Sequence, residues 1–217
     1  FYVTLFIVVM DIKNFITKYH THPVLFFGTG MSMRYLQKSY SWKSLLQQIT
    51  VDLTGNDELY LNIDSRFNSN CPKMASEIEK IFNQKLEEDR DGKFKDINDL
   101  FFDNKRKGID NSRFKIYISQ LLADNSLKAE MLEEIKALKT IRKNISSVIT
   151  TNYDNLVEQI FQFDPLVGNN ILMSNPYGAV YKIHGSIENP SSIIITAEDY
   201  KKFDTKYELI RAQLLSL

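Results

Sequence analysis

The chain has 217 residues, which suits one ordinary domain or a domain with a sizeable insert, and its 43% hydrophobic and 25% charged residues are those of a globular protein with a real core. Lys+Arg and Asp+Glu both number 27, so the formal charge is zero and no global basic field exists to recruit nucleic acid. Cys71 is the only cysteine; this excludes an internal disulfide and a four-cysteine zinc module and fits a reducing, cytoplasmic setting.

Phe1 to Met10 is almost entirely apolar. It is too short to span a bilayer, which takes about 20 residues, and it lacks the basic leading region of a secretion signal. Met10 is a candidate true start, and an extra edge strand is the alternative reading of the segment. Asp11 to Tyr19 place Ile12, Phe15, Ile16 and Tyr19 on one helical face. The run Val24-Leu25-Phe26-Phe27 then predicts a strand buried on both faces. It ends at Gly28-Thr29-Gly30-Met31-Ser32, where two glycines predict a tight turn open to a diphosphate. By itself this pattern is often just a turn, and the third glycine of the usual dinucleotide fingerprint is missing.

The middle of the chain is predicted to be helical. Trp42, Leu45, Leu46 and Ile49 recur at helical spacing, as do Met74, Ile78, Ile81, Phe82 and Leu86 after Pro72. Phe114 to Leu122 and Met131 to Ile141 repeat the pattern. The charged stretch Glu87 to Lys95 reads as an exposed loop, and Lys105-Arg106-Lys107 as solvated loop rather than a nucleic-acid site.

The period then changes. Ser147 to Thr150 is a β-branched strand, Asn155 to Phe163 a helix, and Ala179 to Ile183 a strand ending at His184-Gly185. Ser192 to Ile195 is a further predicted strand, followed by Thr196-Ala-Glu-Asp199, a pattern like a helix-capping box. The fold class is therefore α/β with a mainly parallel sheet, in which ligands bind at the carboxyl ends of strands.

Three polar clusters fall at such ends. The first is the glycine motif. The second is Thr150-Thr151-Asn152-Tyr153-Asp154, where Asn152 can donate and accept hydrogen bonds. Asp154 alone reads as a helix cap, and Asn152 alone is open between a cap and chemistry. The third is Tyr181-Lys182-Ile183-His184-Gly185-Ser186. His184 can act as a base near neutral pH, although a lone buried histidine is more often satisfied by a backbone carbonyl.

In this order and spacing, Gly-Thr-Gly-Met-Ser, Thr-Thr-Asn-Tyr-Asp and Ile-His-Gly resemble the successive NAD-site motifs of sirtuins. The second motif, with Ser41-Trp42-Lys43-Ser44-Leu45-Leu46 after the glycines, is particularly similar to the prokaryotic sirtuin-like NAD hydrolases of antiphage defence. The resemblance runs from about Val24 to Phe203. It implies a Rossmann-like, NAD-binding catalytic domain over residues 11–217, with a helical insert at about 43–144 and without the sirtuin zinc module. It further implies an amino-terminal part of a longer protein, because the family's next strand and glycine-rich turn are not found before Leu217.

The resemblance implies that Gly28, Thr29, Gly30, Met31, Ser32, Thr151, Asn152, Asp154 and His184 bind NAD as substrate. Asn152 and His184 would be catalytic, no metal would be required, and water attack would yield ADP-ribose and nicotinamide. The implied partner is a second copy or an activating protein, with no direct contact to nucleic acid or membrane. Trp42 and Lys43 stand where protein-deacylating sirtuins carry an Asp-Phe-Arg segment. A deacylase or ADP-ribosyltransferase, and a non-catalytic nucleotide sensor, are the alternatives.

Overall fold

The computed structural model describes residues 22–173 and 177–206; the predicted segments Phe1–Met10 and Asp11–Tyr19 lie outside them. Strands β1 (Val24–Phe27), β2 (Ser147–Thr150), β3 (Asp164–Val167) and β4 (Ala179–Lys182) form one sheet in the order β1-β2-β4-β3. Every neighbouring pair is parallel. The register sets Phe27 beside Thr150 and Thr150 beside Lys182, so β1, β2 and β4 end level with one another.

Helix α1 (Thr29–Tyr35) follows β1 directly. Then come α2 (Trp42–Thr54), α3 (Glu58–Phe67), α4 (Cys71–Glu88), α5 (Lys95–Arg106), α6 (Arg113–Leu121) and α7 (Leu132–Thr140) before the chain returns to β2. Helix α8 (Leu156–Phe161) links β2 to β3, and α9 (Ala197–Lys206) is the last described element. Alternation along the strands sorts their side chains between the two faces. Val148 and Val180 pack with Tyr35, Ile135, Leu156 and Ile160 from α1, α7 and α8, whereas Tyr181, Ile149 and Ile183 pack on Ile171. A separate core unites α2 to α6 around Ile49, Met74, Ile78, Phe82 and Phe114. Among the described residues, no helix is long and apolar enough to cross a membrane.

Several expectations need correction. Ser192–Ile195 is not a strand. Pro190–Ser192 forms a single 3-10 turn, and the backbone that follows has no sheet partner. Its N–H groups are committed elsewhere: Ile194 donates to the His184 carbonyl at 2.9 Å, while Ile195 and Thr196 donate to the Asp199 carboxylate. The β-branched run instead buries Ile193 and Ile195 in the core of the helical region.

The predicted helix at Asn155–Phe163 is shorter, because Gln162 adopts a left-handed φ of 52° and ends it. The chain then forms β3, a strand not expected from the sequence. Its Pro165 lacks an N–H and is tolerated because β3 lies at the edge of the sheet. The tight turn expected at Gly28 is a direct passage from β1 into α1: its φ of −116° and ψ of −172° are extended, and its carbonyl accepts from Met31 N–H at 3.0 Å. Finally, Lys105 and Arg106 are the last turn of α5 rather than loop, where their charges suit the helix's carboxyl end. The expected capping box is present: Asp199 N–H donates to Thr196 Oγ1 at 3.1 Å, and Thr196 N–H donates back to Asp199 Oδ2 at 3.0 Å.

Candidate functional site

Because β1, β2 and β4 end level, the loops that follow them converge. Thr29, Ser32, Thr151, Asn152, Asp154 and His184 all line one cavity of about 210 Å³ between the sheet edge and the helical region. Three of the expected residues, Gly28, Gly30 and Met31, are not among the residues that line it. Gly30 is exposed on α1, and Met31 packs into the core beneath the sheet. Gly28 contributes its carbonyl, which accepts from Asn152 Nδ2 at 3.0 Å.

That contact fixes which way the Asn152 amide faces, since a carbonyl can only accept. Nδ2 also donates to Ser32 Oγ at 2.9 Å, and Ser32 Oγ donates to Asp154 Oδ2 at 2.6 Å. The carboxylate's other oxygen accepts from Leu156 N–H, the first residue of α8, at 3.1 Å, while the N-cap position itself is Asn155. Asp154 is therefore not the N-cap expected from the sequence; it satisfies the first N–H of α8 and anchors a chain of donors that runs back to Asn152. At the far end, Asn152 Oδ1 is buried without a hydrogen-bond partner among the described residues.

Lys182, fully buried in β4, supports this loop from below. Its Nζ donates to the Asp154 carbonyl and to Glu158 Oε1 of α8, the latter at 2.7 Å. A buried ammonium needs such partners, because an unpaired one would be strongly destabilising.

His184 follows β4 at the other side of the cavity. The edges of Tyr200 and Phe203 from α9 meet its ring at centroid distances of 5.5 and 6.2 Å. This burial removes water from the imidazole and pushes its pKa down from the usual 6.5, so the neutral ring persists at neutral pH. Gly185 holds the turn beyond it. Its φ of 93° lies in the left-handed region, and a Cβ there would stand 2.2 Å from the Ser192 carbonyl oxygen.

Sequence reasoning missed several cavity residues. Tyr153, between Asn152 and Asp154, lines the cavity and donates from its hydroxyl to the Ile194 carbonyl at 2.7 Å, which ties the β2 loop to the loop after His184. Burial holds its phenol well above its ordinary pKa and therefore protonated. Tyr40, Trp42, Leu45 and Leu122 form the opposite, largely apolar wall. The helical spacing of Trp42 and Leu45 marked a helix there, which Ser41 caps by accepting from Ser44 N–H at 3.2 Å, but not its place on the cavity. Among the described residues, no group of three His, Cys, Asp or Glu side chains is placed to hold a metal ion.

Comparison with known proteins agrees with this arrangement. A family model described as SIR2-like domain matches residues 146–217, the stretch that holds β2, Asn152 and His184. The NAD(+) hydrolase ThsA of Enterococcus faecium is 35% identical over 107 residues, covering 45% of this chain and 22% of that protein. The NAD(+) hydrolase ThsA of Bacillus cereus (strain MSX-D12) is 29% identical over 100 residues, or 42% of this chain and 21% of that protein. The matched region thus spans about a fifth of these relatives' own length. Three sirtuin-like motifs thus converge on one cavity, and the chain is similar in sequence to the SIR2-like domain and to the two ThsA NAD(+) hydrolases.

Proposed function

We propose that this domain hydrolyses the nicotinamide–ribose bond of NAD, giving ADP-ribose and nicotinamide, with Asn152 and His184 as the catalytic pair. The observation that carries this reading is the meeting of the Gly28–Ser32 segment, Asn152 and a partly desolvated His184 around one cavity. The names of the relatives supply the substrate and the reaction class.

The chemistry asks little of an acid. Nicotinamide leaves as a neutral molecule when the pyridinium takes the electron pair of the breaking C–N bond. What the site must supply is a placed water and a base, while the ribose develops oxocarbenium character. Neutral His184 accepts the proton that water loses as its oxygen bonds to the ribose carbon. Asn152, with Nδ2 already committed to Gly28 and Ser32, offers Oδ1 as a fixed acceptor for that water, a ribose hydroxyl or the carboxamide. Thr29, Ser32, Thr151 and Asp154 border the rest of the bound dinucleotide, with Gly28, Gly30 and Met31 of the same motif beside them.

By the likeness noted above, the biological role is NAD depletion in antiphage defence, triggered by a partner or by assembly of copies. Product analysis after incubating the full-length, activated protein with NAD tests the reading. Free ADP-ribose with nicotinamide supports it. Acyl-ADP-ribose, modified protein or unchanged NAD would each refute it.

A further inference from the structure

Trp42 is the chain's only tryptophan and opens α2, where the Ser41 cap fixes its place on the first turn. Its ring lines the cavity and stacks on Tyr200 at 5.8 Å and 26°. Tyr200 in turn meets His184 edge-on. The orientation of the indole is therefore set by the same wall that holds His184. Yet its Nε1–H is buried and, among the described residues, has no hydrogen-bond partner. Indole nitrogen only donates, and burying a donor without an acceptor opposes folding.

Another cavity residue carries the complementary vacancy: Asn152 Oδ1 is a buried acceptor without a donor. The neighbouring polar side chains Ser32 and Asp154 have partners already. Among the described residues, the fully buried polar atoms of the cavity wall thus include an unmet donor and an unmet acceptor. A ligand that satisfies both must offer an acceptor and a donor, and it must suit an aromatic wall. On NAD, the nicotinamide carboxamide offers a carbonyl oxygen and an NH₂ on one planar group. Its pyridinium ring is cationic, and aromatic faces favour a cation. The ring must also lie near His184 if the bond beside it is the one that breaks.

We propose that Trp42 is a specificity-determining residue, its indole N–H donating to the carboxamide oxygen of the nicotinamide ring. This inference rests on the NAD-cleaving reading above. Two measurements test it, both free of turnover. The first is calorimetric binding of NAD and of its thionicotinamide analogue, in which weakly accepting sulfur replaces that oxygen. It is made with full-length His184→Ala protein, with and without Trp42→Phe. Replacing oxygen by sulfur should weaken binding about tenfold when Trp42 is present and leave it nearly unchanged in Trp42→Phe, which keeps an aromatic ring but lacks the donor. Equal discrimination in both proteins overturns the assignment.

The second measurement needs no substitution at Trp42 and so survives a misfolded variant. In this 217-residue chain carrying His184→Ala, Trp42 is the sole tryptophan and reports its own surroundings by fluorescence. Saturating NAD or free nicotinamide should quench or shift its emission, and saturating ADP-ribose, which lacks the ring, should not. An equal response to ADP-ribose overturns the assignment while leaving the hydrolase reading intact. Absence of any NAD binding by the full-length protein overturns both.

Discussion

Asn152 carries two loads that a substitution would separate. Its Nδ2 joins the loops after β1 and β2, while its Oδ1 has no partner among the described residues. Asn152→Ala should therefore lower stability by about 1–3 kcal/mol through the unmet Gly28 and Ser32 groups. It should also abolish most NAD cleavage. His184→Ala should cost about 100- to 10,000-fold in rate, the range for a positioned base, and leave the protein folded. Turnover per folded molecule, measured beside thermal unfolding, checks both; near-normal turnover removes the residue from the catalytic pair.

The pH profile follows from the same burial. His184 is less basic folded than unfolded, so its neutral form is fully present above about 6.5 and is lost as pH falls through the lower folded value. NAD cleavage should accordingly be flat on the neutral side and fall on the acid side with a midpoint below 6.5. A midpoint above that value would mean that another group titrates. At this scale the sequence was legible where polar residues end strands. Tyr153, Trp42 and Tyr200 were hidden because their roles depend on contacts across the chain, such as Tyr153 with Ile194 and Trp42 with Tyr200, which no local pattern records.

Among the elements, the segment from Gly185 to Asp199 determines where His184 sits. Gly185 reverses the chain so closely that the Ser192 backbone occupies the space a Cβ would need. Gly185→Ala should cost at least about 2 kcal/mol, from left-handed strain together with a clash against backbone that cannot rotate away. It should also reduce NAD cleavage in whatever fraction remains folded. Unaltered turnover and melting temperature would show that the turn can open without moving His184.

Further along, the Asp199 carboxylate caps α9 and pairs with Lys115 Nζ at 2.7 Å. Burial alone would raise its pKa, but the hydrogen bond and charge of Lys115 outweigh that and hold it below the usual carboxylate range. Asp199→Ala should cost about 1–3 kcal/mol, since it removes a cap and leaves Lys115 mostly buried and unpaired. Chemical denaturation of the variant beside Thr196→Ala, which loses only the reciprocal cap, separates the two contributions. A loss equal to that of Thr196→Ala would leave the ion pair without net effect. The capping box could be read from four residues. The stretch before it could not, because Ile193–Ile195 has the composition of a strand and spends its N–H groups on His184 and Asp199. β3 escaped for the opposite reason: Asp164-Pro165 looks like a turn, and only an edge position makes it a strand.

For the molecule as a whole, the cavity lies where two cores meet. One side rests on the sheet with α1 and α8, the other on the helical region with Trp42, Leu45 and Leu122. The division was legible in the switch from β-branched runs to helical spacing and back. Which helices would face the sheet edge was not, since every apolar stripe in the insert reads alike. The arrangement has a thermodynamic consequence. A ligand that spans the cavity stabilises both cores together, by about 2.7 kcal/mol at one hundred times its dissociation constant. For a domain of this size each kcal/mol raises the melting temperature by roughly 2–4 °C, so saturating NAD should raise it by about 5–11 °C. The measurement belongs in His184→Ala protein, where NAD persists. The shift should appear as one cooperative transition, accompanied by slowed hydrogen exchange both in the first turns of α2 and around Asn152–Asp154. Protection confined to the β2 loop, with the α2 segment exchanging as before, would mean that the helical wall takes no part in binding NAD.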